Sequence, residues 1–131
     1  MGKRNKNVKF KVKLDTMPDH YKTMVKNALP KNLHFTKHAI DQMKERNFKY
    51  NIKECYNFVT IENVLEVQVE KNNAVKFLVR ANVNSIFDIV LVVTKDGAIV
   101  TNWLNSTTDH HATLKDLHLY TSDYETMKKY L

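Results

Sequence analysis

From about Glu62 onward the apolar residues change period, from the 3.6 of a helix to the 2 of a strand, and this switch constrains the fold more than any other feature of the chain. Leu65, Val67 and Val69 alternate there with Glu66, Gln68 and Glu70. Further strand-like runs cover about Val75 to Ala81, Ile86 to Thr94 and Ala98 to Leu104. The turn signals between them are Lys71-Asn72-Asn73, Asn82 to Ser85, and Lys95-Asp96-Gly97. Connections this short cannot carry the crossover that parallel neighbours need, so the runs predict a four-stranded antiparallel meander. The third run is so continuously apolar that it belongs at the centre of the sheet.

Upstream, the spacing is helical. Pro18 suits a first helical turn, and Tyr21, Met24, Val25, Ala28 and Leu29 form the apolar stripe of a helix over about Met17 to Ala28, closed by Pro30. Thr36 is the cap candidate of a second helix with Ala39, Ile40 and Met43 inward. Asn51 with Glu54 reads as a capping box for a third, in which Cys55 is a core residue. Ser122 and Glu125 form the same signature before a closing helix to about Tyr130. The expected architecture is therefore α+β: N-terminal helices, the antiparallel β-meander, and a C-terminal helix. At 131 residues, with two Gly and two Pro and no linker-like stretch, one domain over 1–131 is expected, made of an arm at 1–14 and a body at 15–131.

The arm carries much of the charge. Six of the 21 basic residues, including Lys9, Lys11 and Lys13, precede the first acid, Asp15, so the remainder is close to neutral despite a net charge of +7. Two compatible meanings stand side by side. A basic arm is an electrostatic footprint for RNA or DNA. Equally, Val8, Phe10, Val12 and Leu14 alternate with those lysines, as in an edge strand whose charged face blocks aggregation. No run approaches the roughly 20 apolar residues of a membrane helix, and the N-terminal residues include no apolar signal core, so a cytoplasmic protein with no membrane partner is expected. The single cysteine excludes an intrachain disulfide and a Cys-rich zinc module.

The densest polar set lies between Thr94 and Tyr120. Strand alternation puts Ile99, Thr101, Trp103 and Asn105 on one face of the fourth strand, and Lys76, Leu78 and Arg80 on one face of the second. If those faces coincide, Lys76 and Arg80 offer cations to a phosphate, and Thr101 and Asn105 offer hydrogen bonds. Trp103 then either stacks on a base or packs in the core. An arginine in the middle of a sheet needs a partner, which is an acid such as Asp88 or Glu66, or an anionic ligand. The adjacent His110 and His111 lack the i, i+4 spacing that aims two imidazoles at one metal, so no metal or cofactor is expected, and proton transfer suits a loop histidine better. No Gly-rich phosphate loop and no nucleophile elbow is present.

A resemblance extends this set. The run Phe35-Thr36-Lys37-His38-Ala39-Ile40-Asp41-Gln42-Met43-Lys44-Glu45-Arg46 is similar to the F-T-x-H-A-x-x-R-M-x-x-R opening of the barnase/EndoU/colicin/RelE (BECR) group of ribonucleases and toxins. The segment from Val92 to Asn105 resembles the last hairpin of those domains. The similarity spans roughly Leu33 to Asn105 and departs from the family at Gln42, where a basic residue is usual. It implicates His38, Arg46 and Thr101, with Arg80 as a sheet cation. The implied activity is metal-independent RNA cleavage by the ribose 2′-hydroxyl, in a toxin or a small phage-type or mobile-element protein, with an antitoxin or another protein as a candidate partner. In that chemistry His38 or His111 moves protons, Arg80, Lys76 and Arg46 stabilise charge, and Thr101 positions the phosphate. Lys9, Lys11, Lys13, Lys76, Trp103, Asn105 and His110 would hold the RNA. The alternatives are a domain that binds RNA or DNA without turnover, and a protein-interaction or inhibitory factor.

Overall fold

The computed structural model describes residues 9–46, 51–71, 73–108 and 124–125. Its elements follow in the order β1 (Lys9–Lys13), α1 (Asp19–Ala28), β2 (His34–Phe35), α2 (Lys37–Glu45), α3 (Ile52–Phe58), β3 (Val64–Glu70), β4 (Asn73–Asn82), β5 (Phe87–Thr94) and β6 (Ala98–Ser106). Two 3₁₀ turns, Leu14–Thr16 and Ile61–Asn63, lead into α1 and β3.

Each helix starts where its sequence supplies a partner for the first N–H groups. The Thr36 hydroxyl accepts from Ala39 N at 3.1 Å to cap α2. It also donates to the Ile99 carbonyl at 3.1 Å, which ties the helix start to β6. At α3 the Asn51 side chain accepts from Glu54 N and the Glu54 carboxylate accepts from Asn51 N, a complete capping box. α1 begins at Asp19 rather than Met17, because Leu14–Thr16 is already a 3₁₀ turn and Pro18 is extended. Leu29 is extended as well and ends the helix before Pro30.

The expectation of a four-stranded meander is corrected. The sheet has six strands in the order β1-β3-β4-β5-β6-β2, and it is mixed, since β2 runs parallel to β6. β3 to β6 do run antiparallel in series. The extra strands come from the helical half of the chain. β1 pairs with β3, Lys9 opposite Glu70 and Lys13 opposite Glu66. β2 is two residues long and pairs across more than sixty residues of sequence, His34 with Ala98 and Phe35 with Ile99. The expected closing helix is not among the described elements either, and the helices that are described lie in the N-terminal half. Of the closing span only Tyr124 and Glu125 are described, and Tyr124 is tied to the N-terminal part, its N–H donating to the Thr16 hydroxyl and its ring 5.1 Å from that of Tyr21.

All three helices cover one face of the sheet. Tyr21 and Val25 from α1, Ala39 from α2 and Cys55 from α3 share one core cluster with Val12, Val67, Phe77, Val79, Ile89, Leu91, Val93 and Ile99. Burying an aliphatic or aromatic side chain of this kind contributes about 1.5–3 kcal/mol, so this layer is the main source of stability. The other face carries the intervening residues Leu78, Val90, Val92 and Trp103, outside that cluster.

Candidate nucleic-acid interface

The faces of β4 and β6 are set by one irregularity. Val93 pairs with Ile99 and Val92 with Thr101, so Val100 is an extra residue in β6. Ile99 and Thr101 therefore point to opposite faces, which corrects their placement on one. Ile99 enters the core, and Thr101, Trp103 and Asn105 face away from the helices. The cross-strand rows on that open face read Gln68, Lys76, Thr94; then Glu66, Leu78, Val92, Thr101; then Arg80, Val90, Trp103; then Asn82, Asp88, Asn105. The structure thus brings Lys76, Arg80, Thr101, Trp103 and Asn105 onto one face. Trp103 is half-buried there and flanks the fully buried Val90.

Arg80 finds its acid within the sheet. Its Nε donates to Asp88 Oδ2 at 2.7 Å and its Nη2 to the Ser106 carbonyl at 3.1 Å, with side chains 9% and 16% exposed for Arg80 and Asp88. The second Asp88 oxygen accepts from Asn82 Nδ2 at 3.0 Å. Breaking so enclosed a pair by removing one partner strands the other charge, which makes Arg80 a structural cation first. In the arm, Lys9 and Lys13 stand in register with Glu70 and Glu66, Lys11 is opposite Gln68, and β1 is the edge strand of the described sheet.

His38 and Arg46 belong to the other layer. His38 is exposed in the first turn of α2, and Arg46 Nη1 donates to the Asn102 carbonyl. Asn102 points to the helix side, where its Nδ2 donates to the Ala39 carbonyl at 3.0 Å, while its neighbour Thr101 points to the open face. The sheet therefore separates His38 and Arg46 from Arg80 and Thr101. His110 and His111 lie outside the described residues.

Gln42, which stands where the resemblance would lead one to expect a basic residue, has a structural part of its own. It and Asn102 are the buried polar side chains among the described residues. The Gln42 Oε1 accepts from Asn102 N at 3.0 Å. Together with Arg46, one turn on, it gives the outer edge of β6 the hydrogen bonds a further strand would have made. A cation at position 42 could not accept that bond. Asn102 Oδ1 is left as a buried acceptor with no partner. Asn102 was invisible to sequence reasoning, because strict alternation from Ile99 assigns it to the wrong face.

Cys55 offers no nucleophile. It is fully buried, and burial followed by the nearby Glu54 charge pushes its thiol up to about 12, so it is protonated at neutral pH.

One set of exposed cations lies at the end of the sheet where three connections meet. The β5–β6 turn lies against the 31–34 loop, His34 N donating to the Gly97 carbonyl at 2.9 Å. Lys95 N donates to the Val75 carbonyl at 3.0 Å, which sets the same turn beside the β3–β4 connection. Lys31, His34, Lys71 and Lys95 are exposed there, and Lys37 and His38 follow in the first turn of α2. No ion pair engages these lysines among the described residues. The acid of the turn, Asp96, is occupied: a hydrogen bond from the Thr94 hydroxyl, then its own backbone N–H, hold its carboxyl below the usual range, with His34 and Lys95 adding to the effect. Each lysine is single in its own turn, so only the fold assembles them. Lys31, Lys71 and Lys95 carry no local signal that sequence reasoning could have used.

Among the described residues no group of three or more His, Cys, Asp or Glu is placed to hold a metal ion, and no helix is long and apolar enough to cross a membrane. Compared with protein-family models, curated proteins and solved structures, the chain matches none.

Proposed function

We propose that this chain is a nucleic-acid-binding domain, acting on RNA by binding rather than by cleavage, which meets the phosphate backbone with the lysine-bearing end of its sheet. The observation that carries this reading is the contrast in how the cations are used. Arg80 is bonded to Asp88 within the sheet, whereas Lys31, Lys71 and Lys95 are exposed at one end with no ion pair to the described residues. Exposed lysines along turns contact phosphates without reading sequence, so affinity is electrostatic and modest in specificity. RNA is the first ligand to try because the resemblance is to RNA-directed domains. Cleavage through the 2′-hydroxyl requires a base, an acid and cations around one phosphate. The residues that the resemblance implicates lie on both sides of the sheet, so turnover has less support than binding. A cytoplasmic setting accords with such a ligand and with the reduced Cys55.

The test is a titration of labelled single-stranded RNA, with DNA in parallel, across a range of salt in excess chelator. Affinity should fall steeply with salt, with no cleavage products. Replacing Lys31, Lys71 and Lys95 together by Gln should flatten the log–log salt slope by about 2, since each phosphate neutralised on a single strand adds about 0.7 to it. Replacing Lys13, in register with Glu66, should leave the slope nearly unchanged. An unaltered slope in the triple variant sinks this interface. Metal-independent cleavage that disappears in His38→Ala would restore the ribonuclease reading, and an absence of RNA and DNA binding at low salt would favour a purely protein-directed role.

A further inference from the structure

Tyr56 on α3 is 44% exposed, although its hydroxyl is bonded to the protein, accepting from Leu33 N at 2.9 Å. A surface tyrosine commonly does the reverse, packing its ring and leaving the hydroxyl wet. With the polar tip engaged, what Tyr56 offers to solvent is largely the ring. The other exposed large hydrophobic residues among those described lie elsewhere: Ile40 on α2, and Val83, Ile86 and Phe87 in or beside the β4–β5 connection, the apolar end of the sheet. Among the described residues, Tyr56 is thus the exposed aromatic side chain that reaches the basic end.

Leu33 lies in the loop that carries Lys31, and the next residue, His34, donates from its N–H to the Gly97 carbonyl at 2.9 Å, close in sequence to Lys95. One hydrogen bond therefore joins the ring to the loop, and one more joins the loop to the β5–β6 turn. Lys53 precedes Tyr56 by three residues on α3, so the two are neighbours on one helix face. Lys53 is exposed, with no ion pair to the described residues. The acid of this helix, Glu54, is turned to the helix start, where its carboxylate accepts from Asn51 N at 3.1 Å. The ring thus stands among cations, and its hydroxyl bond holds it in place before any ligand arrives, so little ordering entropy is left to lose on binding.

We propose that Tyr56 is a stacking platform for one unpaired base, which makes the ligand of this end single-stranded nucleic acid rather than a duplex. The inference rests on the nucleic-acid reading above and names the strand form that the same site takes. Lysines alone do not choose between the two forms, because phosphates line single strands and duplexes alike. A ring does choose. A paired base keeps its faces stacked inside the duplex and shows only its edges in the grooves, whereas an unpaired base can lay its face on an aromatic side chain. Every base has such a face, so the platform adds affinity with little sequence preference. Lys31 and Lys53 are then placed to meet the phosphates that flank the stacked base.

Anisotropy titrations of the full chain test it with three probes: a short labelled RNA of unstructured sequence, the same RNA annealed to its complement, and an abasic RNA of equal length. The single strand should bind more tightly than either the duplex or the abasic strand. Tyr56→Leu should weaken single-strand binding by about fivefold to a hundredfold, the range for one stacked base, with the salt slope unchanged because no phosphate contact is lost. The same change should leave binding to the abasic strand as it was. Tyr56→Phe drops the bond to Leu33 N but keeps the ring, so it should retain most of the affinity. Equal weakening by Tyr56→Phe and Tyr56→Leu overturns the proposal, since the hydroxyl then acts by holding the loop. A wild-type chain that binds abasic and intact RNA alike overturns it too, and that comparison needs no variant to fold. Salt-dependent binding that Tyr56→Leu leaves untouched overturns the stacking and lets the phosphate reading stand, whereas an absence of RNA binding at low salt removes both.

Discussion

The two ends of the sheet differ in the contact that most constrains their turns. At the basic end, backbone meets backbone: Gly97 has φ +97°, and a side chain there would run into the Asn32 carbonyl of the neighbouring loop. At the apolar end, side-chain amides do the shaping, with Asn84 and Asn82 bonded to the turn they sit in. In both places the residues that fix the path differ from those that face solvent. Lys31 and Lys95 are not what shapes one end, and Val83 and Ile86 are not what shapes the other. Their chemistry is therefore available for contact with something else.

The contrast is most easily broken at Gly97. Alanine there meets both a left-handed backbone and a carbonyl oxygen, so Gly97→Ala should cost about 3 kcal/mol or more in urea unfolding, and RNA affinity should fall with it. An unchanged midpoint would mean that the basic end is not held by this close approach. A smaller effect is expected at the β6 edge. Gln42→Ala leaves the buried Asn102 N–H without its acceptor and should cost about 1–3 kcal/mol. Substitution of Asn84 by Ala comes next, at about 0.5–1 kcal/mol, because water can replace its bonds on an exposed turn. If Asn84→Ala were as damaging as Gly97→Ala, the two ends would not differ as described.

The smallest effect is one of pH. The Asp96 carboxyl is lowered, chiefly by the Thr94 hydroxyl, so its stabilising contribution is present above the ordinary carboxylate range and is lost as pH falls through its folded value. Comparing melting temperature against pH for wild type and Asp96→Asn should show the two curves converging in acid. Parallel curves would show that the Thr94 bond does not hold the turn.

Local chemistry made the helices legible and left the sheet partly hidden. Thr36 and the Asn51–Glu54 pair announce their helices because a cap is a contact between residues three apart. β3 to β6 show in their alternation and turns. β2 does not, since two residues carry no period and its partner lies at Ala98 and Ile99, a pairing that exists only once the chain has folded. β1 shows as an alternating arm, but whether its lysines serve a ligand or the sheet depends on Glu66 and Glu70 across the ladder. For the candidate site the sequence did less. It found Lys76, Arg80, Thr101, Trp103 and Asn105 on a common face, yet Asp88 as the partner of Arg80 was one option of several. The lysines of the basic end come from separate turns, and no pattern along the chain links them.

The extra residue at Val100 has a consequence for which changes this chain can absorb. Beyond it, what each residue of β6 does is decided by parity: Asn102 reaches α2 and Trp103 the open face only because one residue too many precedes them. Losing Val100 would move every later side chain to the opposite face, sending the indole towards α2 and the amide of Asn102 to the far side. β6 should therefore accept many replacements at Val100 but hardly any change in length, so that insertions and deletions here act as a frameshift in three dimensions, with the reading frame kept by the pleat.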